Sequence, residues 1–68
     1  MNFTDMMYEA KNAAAGKANA TITSNVNGHM VEAYAHQTAD DASKGTYRVS
    51  WLVDWKRCKF SDLPARVK

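Results

Sequence analysis

Thr21-Ile22-Thr23-Ser24-Asn25-Val26-Asn27-Gly28-His29-Met30-Val31-Glu32-Ala33-Tyr34-Ala35 is the stretch on which the fold turns. Two runs rich in β-branched and apolar residues flank Asn27-Gly28. That dipeptide is preferred in a type I′ hairpin turn, because both central residues take positive φ there. A two-residue loop leaves one register, in which Val26 opposes His29, Ser24 opposes Val31 and Ile22 opposes Ala33. One face of the hairpin then carries Ile22, Val26, Val31, Ala33 and Ala35. The other carries Thr21, Thr23, Asn25, Met30, Glu32 and Tyr34. The first face is assigned to the core.

Downstream, residues 36–45 (HQTADDASKG) read as a polar connection with room for a short helical turn near 39–43. Residues 46–55 then alternate strictly. Tyr47, Val49, Trp51, Val53 and Trp55 fall on one side, and Arg48, Ser50, Leu52 and Asp54 on the other. Large apolar side chains at every odd position make this the main core strand. The parity fails at Arg57 and Lys59, where Cys58 and Phe60 become the apolar pair, so a bulge or turn is expected within 54–57. Ser61-Asp62-Leu63-Pro64 reads as a stop, or as a helix start with Ser61 as cap and Pro64 in the first turn.

Upstream, Thr4 reads as an N-cap with Asp5 in the first turn, where the helix dipole favours an anion. Phe3, Met7, Ala10, Ala14 and Ala18 recur at helical spacing, flanked by Met6 and Ala13, and Gly16 places the helix end between 15 and 19. The elements together predict one α+β domain over residues 1–68, in helix-β-β-β order. An N-terminal helix over about 4–18 packs on one face of a three-stranded antiparallel sheet, with strands over about 20–26, 29–35 and 46–55. Part of the basic C-terminal segment 56–68 supplies a fourth short strand or a helical turn.

Sixty-eight residues leave room for one thin core. A chain of this size buries only about 60% of the surface its unfolded form exposes. Cys58 is the only cysteine, so no disulfide closes within the chain, and a reducing, cytoplasmic setting is expected. The first residues lack the pattern of a signal peptide, and no apolar run reaches the roughly 18 residues of a membrane span. The acceptor tripeptides at Asn2 and Asn19 are read as chance matches. The net charge of +2 is uneven: residues 1–55 hold four basic and six acidic side chains, whereas 56–68 hold five basic ones and Asp62.

Most chemical motifs fail on inspection. Ala15-Gly16-Lys17-Ala18 echoes a phosphate loop but lacks the earlier glycine, the following hydroxyl and the preceding strand. His29, His36, Asp40, Asp41 and Cys58 lack the paired spacing of a zinc site, so no metal or other cofactor is expected. Cys58 lies between Arg57 and Lys59, which favour its thiolate, yet no base is placed beside it, and a small hydrophobe at the sheet end is the simpler reading. With no nucleophile, base and orienter to group, the chain is not expected to be an enzyme.

Two binding surfaces remain. One helix covers one sheet face, so the other is expected to expose Met30, Tyr34 and Leu52 with Glu32 and Arg48 on the rim. That pattern suits a protein partner or a second copy of the chain, and small domains of this class include phage and mobile-element inhibitors of host factors, an analogy of class only. The alternative is nucleic acid held by Lys56, Arg57, Lys59, Arg66 and Lys68. Trp51, Trp55 and Phe60 lie among these cations, but strand parity assigns both tryptophans to the core.

Overall fold

Asn27 and Gly28 take φ of 52° and 84°, the two consecutive positive values that a type I′ turn requires. They join β1 (Asn19–Val26) to β2 (His29–His36) in the expected register, with Val26 facing His29, Ser24 facing Val31 and Ile22 facing Ala33. The computed structural model describes residues 2–68. An N-terminal helix α1 (Phe3–Ala14) precedes this hairpin. After it come α2 (Ala39–Lys44), β3 (Arg48–Val53), β4 (Lys56–Cys58), a 3-10 turn (Phe60–Asp62) and α3 (Leu63–Arg66). The sheet is a four-stranded antiparallel meander in the order β1-β2-β3-β4, and α1 packs on β1 and β2. The α+β class, the helix-then-strands order and the single covered face agree with the sequence reading.

The boundaries differ where side chains compete for the backbone. Asn2, not Thr4, caps α1: its Oδ1 accepts the Asp5 N–H at 2.8 Å. The earlier start brings Phe3 into the first turn, edge-on to Trp51 at 6.1 Å between ring centroids. The helix also ends early, at Ala14, and Gly16 takes φ of 77° just beyond it. The Tyr47 hydroxyl lies 2.8 Å from the Ala14 carbonyl and 3.0 Å from that of Lys17, so β3's lead-in satisfies the carbonyl that another helical turn would have used. Ala18 is therefore exposed, and Met6 rather than Met7 is the fully buried methionine.

Burial follows strand parity. Val31, Ala33 and Ala35 from β2, and Trp51 and Val53 from β3, meet Met6, Ala10 and Ala14 of α1, with Ile22 and Val26 partly covered. Alanine facing alanine lets the helix approach the sheet closely. His36, read as the start of the connection, instead extends β2 and pairs with Arg48. The connection does contain a helical turn, closed by a capping box between Thr38 and Asp41 and by Gly45 at φ of 72°. Asp41 accepts from the Thr38 N–H, the Thr46 hydroxyl and Arg48 Nε, the last at 2.7 Å. The Thr38 N–H first, and then the Arg48 guanidinium, hold its carboxyl well below the usual carboxylate range.

β3 is shorter than the alternation suggests. Asp54 and Trp55 form a second two-residue turn, at φ of 50° and 70°, which changes the parity before β4. Trp55 is thus a correction: it stands 75% exposed at a hairpin tip, whereas Trp51 is 4% exposed in the core. Residues after β4 fold back onto the core face. Leu63 and Val67 are buried, Phe60 tilts against Trp51 at 5.6 Å, and Asn27 Nδ2 donates to the Val67 carbonyl at 2.8 Å. Ser61 lies inside the 3-10 turn and caps nothing, while Pro64 does occupy the first turn of α3.

The C-terminal segment is therefore part of the core. Leu63→Ala should lower unfolding free energy by about 2–5 kcal/mol in a urea titration. A loose basic tail would show no change.

Candidate functional site

The uncovered face is set by the two turns. Side chains alternate along both strands in the register closed by Val26 and His29, so the face opposite Ile22, Val26, Val31, Ala33 and Ala35 presents Thr21, Thr23, Glu32, Tyr34 and His36 from β1 and β2. β3 adds Ser50 and Leu52, opposite Tyr34 and Glu32, and β4 adds Arg57, opposite Leu52. A shallow cleft of about 440 Å3 runs between them, lined by Glu32, Tyr34, His36, Ser50, Leu52 and Arg57 among others. Leu52 forms its apolar floor with Tyr34, between a carboxylate on one side and a guanidinium on the other. Tyr34 stacks on His36 with ring centroids 5.1 Å apart, and His36 Nε2 lies 2.9 Å from the Ser50 hydroxyl. These contacts fix the aromatic wall.

Of the five residues expected on this surface, the cleft gathers Glu32, Tyr34 and Leu52. Met30 is exposed beside the Asn27-Gly28 turn, and Arg48 lies at the opposite end of the strands, committed to Asp41. His36 and Arg57 were missed because one was read as loop and the other as tail. Only the pairing of β2 with β3, and of β3 with β4, brings them here.

The five basic residues are divided. Arg57, Lys59 and Arg66 line a second cleft with Cys58 and Asp62, so Arg57 borders both clefts. Lys56 opposes Val53 in the ladder and therefore projects from the other face of β4. Lys68 lies near His29, whose Nε2 is 3.3 Å from the Lys68 carbonyl. Cys58 is half-buried and has its thiol directed to the Lys59 carbonyl at 3.4 Å. Both histidine rings are engaged elsewhere. Among the described residues, no three His, Cys, Asp or Glu side chains gather into a set that could hold a metal ion.

Asp54 ties the two turns together. Its Oδ1 accepts the Met30 N–H at 3.0 Å, its own N–H donates to the Met30 carbonyl at 2.9 Å, and Oδ2 meets His29 Nδ1 at 2.7 Å. These bonds reward an aspartate at positive φ. The hydrogen bond to Asp54 first, and the Lys68 carbonyl second, raise the His29 pKa against partial desolvation and, more weakly, the charge of Arg66. The same His29 bond, followed by the Met30 N–H, lowers that of Asp54. Trp55 has no such reward, and a bulky residue in the left-handed region costs about 1–2 kcal/mol.

No family model, curated protein or solved structure matches this chain. Among the described residues no helix is long and apolar enough to cross a membrane.

Two measurements check this account. A histidine with a raised folded pKa contributes stability that is complete below its ordinary value of 6.5 and is lost as pH climbs through the folded value. The Asp54 contribution is present above the ordinary 3.8 and is lost as pH falls through its lowered value. The thermal midpoint should therefore drop as pH rises above the ordinary histidine value of 6.5, and His29→Gln should flatten that limb. Trp55→Gly should raise stability by about 1 kcal/mol in denaturant titrations, since Asp-Gly suits the turn. A loss of stability would show that Trp55 is held by contacts rather than strained.

Proposed function

We propose that this chain is a non-enzymatic protein-binding module whose open sheet face receives an extended segment of a different protein. The observation that carries this reading is the row Glu32–Leu52–Arg57, an apolar floor between opposite charges, beside the stacked wall of Tyr34 and His36. Such a row suits an apolar side chain flanked by a basic residue toward Glu32 and an acidic one toward Arg57. Burying the apolar anchor is worth about 1.5–3 kcal/mol, and the charges set orientation and encounter rate more than strength. Glu32 argues against a phosphate backbone lying along this cleft. The free, half-buried thiol of Cys58 suits a reducing compartment, so the module belongs to the cytoplasm.

A peptide display selection tests the proposal. Enriched peptides should carry an apolar anchor between opposite charges and shift the NMR signals of Tyr34, Ser50 and Leu52. Tyr34→Glu with Leu52→Glu should abolish binding while circular dichroism stays native, because both side chains lie off the core face. Peptide binding that survives in the folded double variant refutes the cleft as the site.

A second reading rests on a different observation. Arg57, Lys59 and Arg66 converge on one cleft, and Phe60 (44% exposed) and Trp55 lie on the adjoining chain. Aromatics beside cations can stack unpaired bases while the cations meet phosphates. Here Arg57→Glu with Lys59→Glu should eliminate a mobility shift of single-stranded probes at low salt, and wild-type affinity should fall steeply with added salt. Absence of any shift by the wild type at low salt retires this reading.

A further inference from the structure

The two edges of the sheet are built differently. β4 is three residues long and carries Lys56 and Arg57, a short, charged edge of the kind that resists pairing. β1 is eight residues long, Asn-Ala-Thr-Ile-Thr-Ser-Asn-Val, with no charge, proline or glycine, and it pairs with β2 at every position without a bulge. Its even residues bond to β2. The N–H and C=O groups of Asn19, Thr21, Thr23 and Asn25 therefore point outward, and all four residues are exposed. Among the described residues no loop, cap or side chain takes up these backbone groups. On the core side of the same strand, Ile22 and Val26 remain only partly covered.

We propose that β1 is a dimerisation edge, pairing antiparallel with the β1 of a second copy about a two-fold axis at Ile22. The strand is complementary to itself in that register. Asn19 faces the second copy's Asn25 and Thr21 its Thr23, each as a hydrogen-bonded pair, so all four outward residues find partners at once. On the open face the cross-strand pairs are Asn with Asn and Thr with Thr, which bond to each other and carry no like charges. On the core face Ile22 meets the second copy's Ile22, closing the apolar margin that one copy leaves in water. α1 lies over β1 and β2, so strands spaced about 4.8 Å apart set α1 and its mate about 10 Å apart, an ordinary helix packing distance. The product is a continuous eight-stranded sheet with both clefts open, and it shares with the cleft proposed above Thr21 alone, which lines the cleft's β1 margin.

The test is sedimentation equilibrium of the full chain together with amide hydrogen exchange. The wild type should sediment at twice the monomer mass. The amides of Asn19, Thr21, Thr23 and Asn25, which have no acceptor within one copy, should gain protection as concentration rises. Thr23→Pro removes an outward donor that the monomer does not use, and should raise the dimer dissociation constant about a hundredfold with native circular dichroism. If that variant fails to fold, T21K/T23K decides, because it sets lysines opposite lysines across the axis at exposed positions. A folded, monomeric double variant supports the proposal. A wild type that is monomeric at millimolar concentration overturns it. So does a dimer that survives T21K/T23K, or one whose four amides stay unprotected, since the contact then lies on another surface. Monomeric wild type that captures extended peptides along β1 would also overturn it, in favour of strand addition by a partner.

Discussion

Two consecutive residues at positive φ, Asn27 and Gly28, set the phase of the whole sheet. Side chains alternate across a strand, so a shift of one residue at this turn would exchange the covered and open faces of β1 and β2. β3 inherits that phase by pairing with β2, and α1 can then find only one face rich in Val31, Ala33 and Ala35. The constraint is reinforced at the same end of the molecule. Asp54 bonds Met30 and His29, and Asn27 holds the chain at Val67, so both turns and the C-terminal segment meet around one corner.

That corner explains how so short a chain closes its core. α1 contributes Met6 and two alanines, which cover the β1–β2 side closely but with little area. Trp51 fills the other side, between Phe3 from one end of the chain and Phe60 from the other. Leu63 and Val67 complete the layer. One sheet face is thereby finished by both termini, which leaves no element of the described chain to cover the second.

The hairpin and its register, the core position of Trp51 and the outward position of Leu52 were legible because each follows from alternation beside an unmistakable turn. Legibility ended where a single residue's surroundings override its pattern. Trp55 continues the odd-numbered apolar series by one residue, and nothing local marks it as the second residue of a turn. Met6 and Met7 are adjacent on a helix, and only the docking angle chooses between them. Leu63 and Val67 sit in a segment too short for periodicity to show, so a buried pair reads as tail. His36 and Arg57 enter the cleft through cross-strand pairs that the chain forms only after folding. For the same reason Arg57, Lys59 and Arg66 read as part of a uniform charge run, although Lys56 projects from the other face of β4 and Lys68 lies beside His29.

The contrast between the two tryptophans has an optical consequence. Trp51 is shielded by two phenylalanine rings, whereas Trp55, four residues along the chain, stands in solvent at the tip of a turn. Native emission is thus the sum of a blue component inaccessible to iodide and a red one that iodide quenches freely. Unfolding shifts only the first, and a molecule settling against the β3–β4 tip alters only the second. The protein carries, without labelling, separate reporters of its interior and of its most exposed aromatic surface.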